Sequence, residues 1–147
     1  MFVCQIEGKE ALEILKKKTI LSEDIINSEI DDLIKNQFVN EDRNSLTEKG
    51  RNSLCVVLAG GVFDIIHPGH IHTLNAAKEL GDVLVVVVAT DNTAVKMKKR
   101  RPLHVQEQRQ ELVNSLSSVD LCLIGQEDDI FKTVNHVKPQ IIALGYD

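Results

Sequence analysis

The chain has 147 residues and a mass of 16.4 kDa, with 43% hydrophobic and 27% charged residues, which suits one globular domain or two small ones. A net charge of -5, a pI near 5.5, 3% aromatics and no Trp leave neither a dominant basic footprint nor a stacking platform for nucleic acid. No run approaches the ~20 apolar residues of a membrane helix, no signal-peptide core opens the chain, and Cys4, Cys55 and Cys122 are too scattered for a disulfide framework, so a reduced, cytoplasmic protein is expected.

Residues 1–52 read as a small, mainly helical module. Ala11, Leu12, Ile14 and Leu15 place an apolar stripe on a first helix, which ends in Lys16-Lys17-Lys18, where cations suit the helix dipole. Ser22 is a predicted N-cap, with Glu23 and Asp24 in the first turn. Ile25, Ile26, Ile30, Leu33 and Ile34 supply the buried face of one or two short helices. Phe38-Val39 and Ser45-Leu46-Thr47 flank a polar turn and predict a small hairpin. Helices followed by a hairpin resemble a winged-helix module. Its reading helix would fall near Ser28–Lys35, which carries Glu29, Asp31 and Asp32 against Lys35. With eight Lys and Arg against eleven Asp and Glu through Asn52, DNA is a disfavoured partner, because neutralised phosphates supply most nucleic-acid affinity. Packing or oligomerisation is the preferred reading.

Residues 53–147 change to alternating strands and helices. Leu54–Ala59, Val83–Ala89, Val119–Ile124 and Gln140–Gly145 are apolar runs of the kind found in strands covered on both faces. Helical periods lie between them at Gly69–Leu80, Val105–Leu116 and Asp128–Val137. The expected fold is α/β, a doubly wound, Rossmann-like parallel sheet with ligands at the carboxyl ends of its strands.

The first strand runs into Gly60-Gly61-Val62-Phe63-Asp64-Ile65-Ile66-His67-Pro68-Gly69-His70. Glycine lets backbone amides approach a phosphate, Pro68 suits the first turn of a helix, and a helix N-terminus attracts anions. His67 and His70, three apart, can face one spot on that turn, with Gly69 between them leaving room for the ligand. Such donors suit the charge that develops on a phosphorus during in-line displacement. A metal cluster that includes His72 is the weaker reading of the same histidines.

Residues 54–147 resemble the cytidylyltransferase-like nucleotidyltransferases, whose hallmark is H-x-G-H, and within them most nearly the archaeal FAD synthases, which are FMN adenylyltransferases. The resemblance rests on Gly61-Val62-Phe63-Asp64, His67-Pro68-Gly69-His70, Ala89-Thr90-Asp91, the basic run Lys96–Arg101 before Pro102, Glu107-Gln108-Arg109, Val119-Asp120, and Lys138-Pro139 leading to Leu144-Gly145-Tyr146-Asp147. Val62 stands where the family usually has Thr. The resemblance implies that Gly61, Val62 and Phe63 touch the nucleotide through their backbone, and that His67 and His70, with Pro68 and Gly69, hold the triphosphate around the reacting phosphorus. It further implies that Lys96, Lys98 and Arg100 supply mobile positive charge, that Arg109 steadies the site from the next helix, and that Asp147 lies near the nucleoside. Mg²⁺ is expected to arrive with the triphosphate, without a protein cage of its own.

The implied reaction transfers AMP from ATP to FMN, giving FAD and pyrophosphate. Two alternatives are a CTP-dependent enzyme acting on a small phosphate such as glycerol 3-phosphate, and a nucleotide-responsive regulator that binds DNA. Family members continue past the Leu-Gly-x-Asp element with a helix start that helps hold the distal phosphates. The sequence stops at Asp147, so the chain is expected to bind nucleotide but to turn over slowly or not at all. A second subunit, in a homodimer, is one arrangement that would complete such a site.

Overall fold

The computed structural model describes residues 1–127 and 129–145. Two compact units divide the chain, Met1–Leu54 and Cys55–Asp147.

The first unit contains α1 (Phe2–Glu7), α2 (Ala11–Lys18), α3 (Glu23–Lys35) and α4 (Glu48–Asn52). Ser22 caps α3 by accepting from the Ile25 amide at 3.4 Å. The helix runs unbroken for 13 residues and buries Ile26 and Ile30, while Ile25 and Leu33 stay largely exposed. The expected hairpin is a single antiparallel bridge between Val39 and Leu46. Its turn is closed by Asp42, whose carboxylate accepts from the amides of Asn44 and Ser45 at 2.9 and 3.0 Å, so a side chain supplies what longer ladders would. Thr47 then accepts from the Gly50 amide at 3.0 Å and starts α4, a turn that apolar periodicity does not reveal. A Cβ on Gly50 would lie 2.0 Å from the Phe38 carbonyl oxygen, so only glycine fits there.

In the second unit, β1 (Val56–Gly61), β2 (Val83–Val88), β3 (Leu121–Ile124) and β4 (Ile141–Ala143) form one parallel sheet of order β3-β2-β1-β4. Val56 pairs with Val83 and Gly61 with Val88, while Val57 pairs with Ile141 on the other side of β1. Both faces of β1 and β2 are covered: Val57, Leu84, Val86 and Val88 share a cluster with Leu74, Ala77 and Val113, and Val56, Leu58 and Val85, which lie outside that cluster, are buried as well. The connecting helices are α5 (Pro68–Lys78), α6 (Asp91–Lys98), α7 (Gln106–Asn114) and α8 (Ile130–Val137). Right-handed crossovers put α5 and α7 over one face and α8 over the other. Strand order reverses between β1 and β4, and such a switch point opens a crevice at the carboxyl ends of the strands.

The helix α6 is an addition to the sequence-based expectation. Its opening residues, Asp91-Asn92-Thr93, are weak helix formers, and only the Thr90 cap, accepting from the Thr93 amide at 3.2 Å, marks the start. All three cysteines are free; Cys4 and Cys122 are buried, and burial pushes the Cys122 thiol up to about 12. No helix among the described residues is long and apolar enough to cross a membrane.

Candidate active site

After Gly61 the chain leaves β1 through Phe63, held at φ 52°, and enters α5 at His67. His67 is the N-cap of α5 and Pro68 its first residue, where the missing N–H leaves no bond unmade. The two histidines close this helix start reciprocally. His67 Nδ1 accepts from the Gly69 amide at 3.1 Å, and His70 Nδ1 accepts from the His67 amide at 3.4 Å. A ring nitrogen that accepts carries no proton, so in each neutral imidazole the N–H is at Nε2. The rings lie 3.9 Å apart between centroids, and His70 also packs against Phe63 at 5.3 Å. A Cβ on Gly69 would stand 2.9 Å from His67 Cε1. Gly69 therefore makes room for the folded-back ring of His67, whereas the sequence suggested room for a ligand.

These groups line a cleft of about 590 Å³ that also takes in Val62, Asp64, Lys98 and Arg100. Asp64 is the only carboxylate lining it among the described residues, and it is occupied. It accepts from Arg100 at 2.7 Å and from the Leu103 amide at 2.6 Å, and its own carbonyl meets His104 Nδ1 at 3.2 Å. Burial by itself would raise the Asp64 carboxyl, but the bonds from Arg100 and Leu103 outweigh it and hold the group below its usual value. The cleft thus combines a helix N-terminus, imidazole N–H donors and two cationic side chains, an arrangement made for anionic oxygens.

The basic run differs from the expected mobile loop. Lys96, Met97 and Lys98 form the last turn of α6, where cations suit the dipole, and Arg100 is tied to Asp64. Lys98 and Arg100 reach the histidine cleft, whereas Lys96 lines a separate pocket with Asp91, Arg101 and Glu127. Arg109 is fully buried and does not touch the cleft. Its guanidinium donates to the carbonyls of Val62 at 2.7 Å, Ala89 at 2.8 Å and His104 at 3.0 Å, and pairs with Asp91 at 2.7 Å. These bonds tie together the three loops that carry Val62, Ala89 and His104. Asp147 lies outside the described residues. Asp64, Asp91 and His104 are the site-organising residues that sequence reasoning passed over. Asp64 stood inside the quoted motif, but nothing local says that its partner is 36 residues away.

A second compartment of about 560 Å³ opens at the carboxyl ends of the strands, bounded by Gly60, Gly61, Ala89, Gly125 and Ala143. It meets the first along Gly61-Val62 and Met97-Lys98, where consecutive residues line one and then the other. Its walls are mostly apolar, with Met97, Ile130 and Ile142 among them. Among the described residues no three His, Cys, Asp or Glu side chains are grouped to hold a metal ion, so His67, His70 and His72 do not form a metal cluster.

The family described as cytidylyltransferase-like matches residues 58–147. The FAD synthase of Picrophilus torridus is 55% identical over 91 residues, covering 62% of this chain and 65% of that protein. The FAD synthase of Thermoplasma acidophilum is 56% identical over 91 residues, covering 62% of this chain and 63% of that protein. The match therefore spans slightly less than two thirds of these relatives' length. A crystal structure of the lipopolysaccharide core biosynthesis protein from Thermoplasma volcanium superposes with a TM-score of 0.61 at 50% identity, over 64% of this chain and 76% of that one.

Proposed function

The chain belongs to the cytidylyltransferase-like family, and from that premise we propose that it transfers AMP from ATP to FMN, giving FAD and pyrophosphate. The observation that carries this reading is the reciprocal histidine cap. Because both Nδ1 atoms accept from backbone amides, we read both Nε2–H groups as donors at the N-terminus of α5. In the reaction an oxygen of the FMN phosphate bonds to the α-phosphorus of ATP. The bond from that phosphorus to the bridging oxygen breaks, and pyrophosphate leaves with the electron pair. The Nε2–H donors of His67 and His70 stabilise the charge spreading over the α-phosphoryl oxygens, while Lys98 and Arg100 serve the departing pyrophosphate. Mg²⁺ would arrive with the triphosphate and neutralise part of its charge; Asp64, the one carboxylate lining the cleft among the described residues, is committed to Arg100. The apolar compartment beside the cleft accommodates a planar ring.

FMN as acceptor is supported by the two relatives called FAD synthases, and ATP follows from FAD as product. The exposed Glu29, Asp31 and Asp32 on α3 would repel nucleic-acid phosphates. Incubating the chain with ATP or CTP against FMN or glycerol 3-phosphate tests the reading. FAD and pyrophosphate are expected from ATP with FMN alone, and formation of CDP-glycerol instead would overturn it.

A further inference from the structure

Thr133 sits on the buried stripe of α8, four residues before the fully buried Val137, at a position where an apolar side chain would be the ordinary choice. It is only 6% exposed. A threonine inside a helix commonly bonds its hydroxyl back to the carbonyl four residues earlier, as Thr73 of α5 does to Gly69 at 3.0 Å. Thr133 makes no such bond, and its hydroxyl has no hydrogen-bond partner among the described residues. Yet among those residues no side-chain oxygen or nitrogen that is sealed from solvent lacks a partner. The Thr133 oxygen is therefore not sealed, and the residue lines the apolar compartment. A hydroxyl so placed gives up most of its water without a protein partner in return, an arrangement that a ligand with a matching polar edge relieves.

We propose that Thr133 is a specificity-determining residue whose hydroxyl hydrogen-bonds the edge of a nitrogen heterocycle, the ring of a nucleotide lodged in this compartment. The inference rests on the nucleotidyltransferase reading above and adds to it the residue that senses the ring. The chemistry demanded is a flat ring with both apolar faces and a hydrogen-bonding rim. The faces pack against side chains such as Met97, Ile130 and Ile142, and the rim meets the Thr133 hydroxyl, since those of Thr90 and Thr93, which also line the compartment, bond to each other. Two nucleotides of the proposed reaction carry such a ring, adenine in ATP and isoalloxazine in FMN. Phosphate binding stays with the histidine cleft and does not depend on Thr133.

Thr133→Val keeps the shape and β-branching of the side chain and deletes only the hydroxyl. Titration of the full chain and its variants with ATP, FMN and inorganic tripolyphosphate, beside thermal melting, tests the proposal. Thr133→Val should weaken one of the two nucleotides roughly five- to tenfold. Tripolyphosphate affinity should not change, and the melting temperature of the unliganded protein should stay level or rise, because an unpartnered hydroxyl has been replaced by a methyl. Thr133→Ser should retain most of the affinity. Loss for ATP alone places adenine at Thr133, and loss for FMN alone places isoalloxazine there. Unchanged affinity for both, or a lowered melting temperature as expected when an internal structural bond is lost, overturns the assignment. If the unaltered chain binds neither nucleotide, the nucleotidyltransferase reading itself fails, which is a different result from a chain that binds both and ignores the substitution.

Discussion

At the amino end of the sheet Asp82 accepts from the Cys55 amide at 2.7 Å, and Asp120 accepts from the Leu84 amide at 2.8 Å and pairs with Lys78. At the carboxyl end the partners reverse sign, with Arg109 donating to the carbonyls of Val62 and Ala89. The reason lies in the backbone. Parallel strands present unpaired N–H groups at one end and unpaired C=O groups at the other, and buried backbone groups need partners. Carboxylates complete the first end and cations the second. Completing the carboxyl end with cations, and starting α5 there, leaves positive potential at the switch point where a phosphate ester would bind.

The comparison can be broken most sharply at Arg109. Arg109→Leu removes four hydrogen bonds and leaves three carbonyls and the Asp91 carboxylate unanswered, so the loss should be about 3–5 kcal/mol in urea unfolding. A loss under ~1 kcal/mol would show that the carboxyl end does not depend on its buried cation. Arg109→Lys should recover little, since an ammonium cannot span the same fork of acceptors.

His70→Ala addresses the chemistry of the same end. Single-turnover AMP transfer should slow by ~10²–10³ while the ATP dissociation constant moves far less. Equal losses in rate and binding would reduce His70 to a binding group.

Asp120→Asn supplies the contrast from the amino end, with an expected cost of about 1 kcal/mol in unfolding and no change in ATP affinity. A tenfold loss of ATP affinity would mean that the two ends are coupled, and the contrast between them would fall.

An effect no larger than that of Asp120→Asn is expected at Asp64 and is read against pH. Its carboxyl is held below the ordinary 3.8, so the unfolded chain takes up its proton first on acidification. The stability it contributes is complete above that ordinary value and is lost as pH falls below it, through the folded value. Asp64→Asn should therefore flatten the acid limb of the stability curve below about pH 4 and cost on the order of 1 kcal/mol at neutral pH. Chemical unfolding from pH 2 to 7 measures both; an acid limb as steep as before would assign the pH dependence to other groups.

Local grammar alone settled much of this protein. The four apolar runs, the helical periods between them, the Ser22 cap and the glycine-to-histidine string at the end of β1 are features of a few neighbouring residues, and such features follow from sterics, periodicity and capping. The parallel sheet and the pairing of His67 with His70 were legible for that reason. Tertiary structure decided what depends on distance along the chain. Arg109 reads locally as one more charge on a polar helix, and only the fold shows it buried against carbonyls 47 and 20 residues away. Arg100 reads as part of a mobile basic run until Asp64, 36 residues earlier, is seen to hold it. The division of the carboxyl end into a cationic cleft and an apolar compartment, with Thr133 lining the second, belongs to packing as well. Which buried groups find partners is a property of surfaces brought together by the fold, and no short window of sequence contains it.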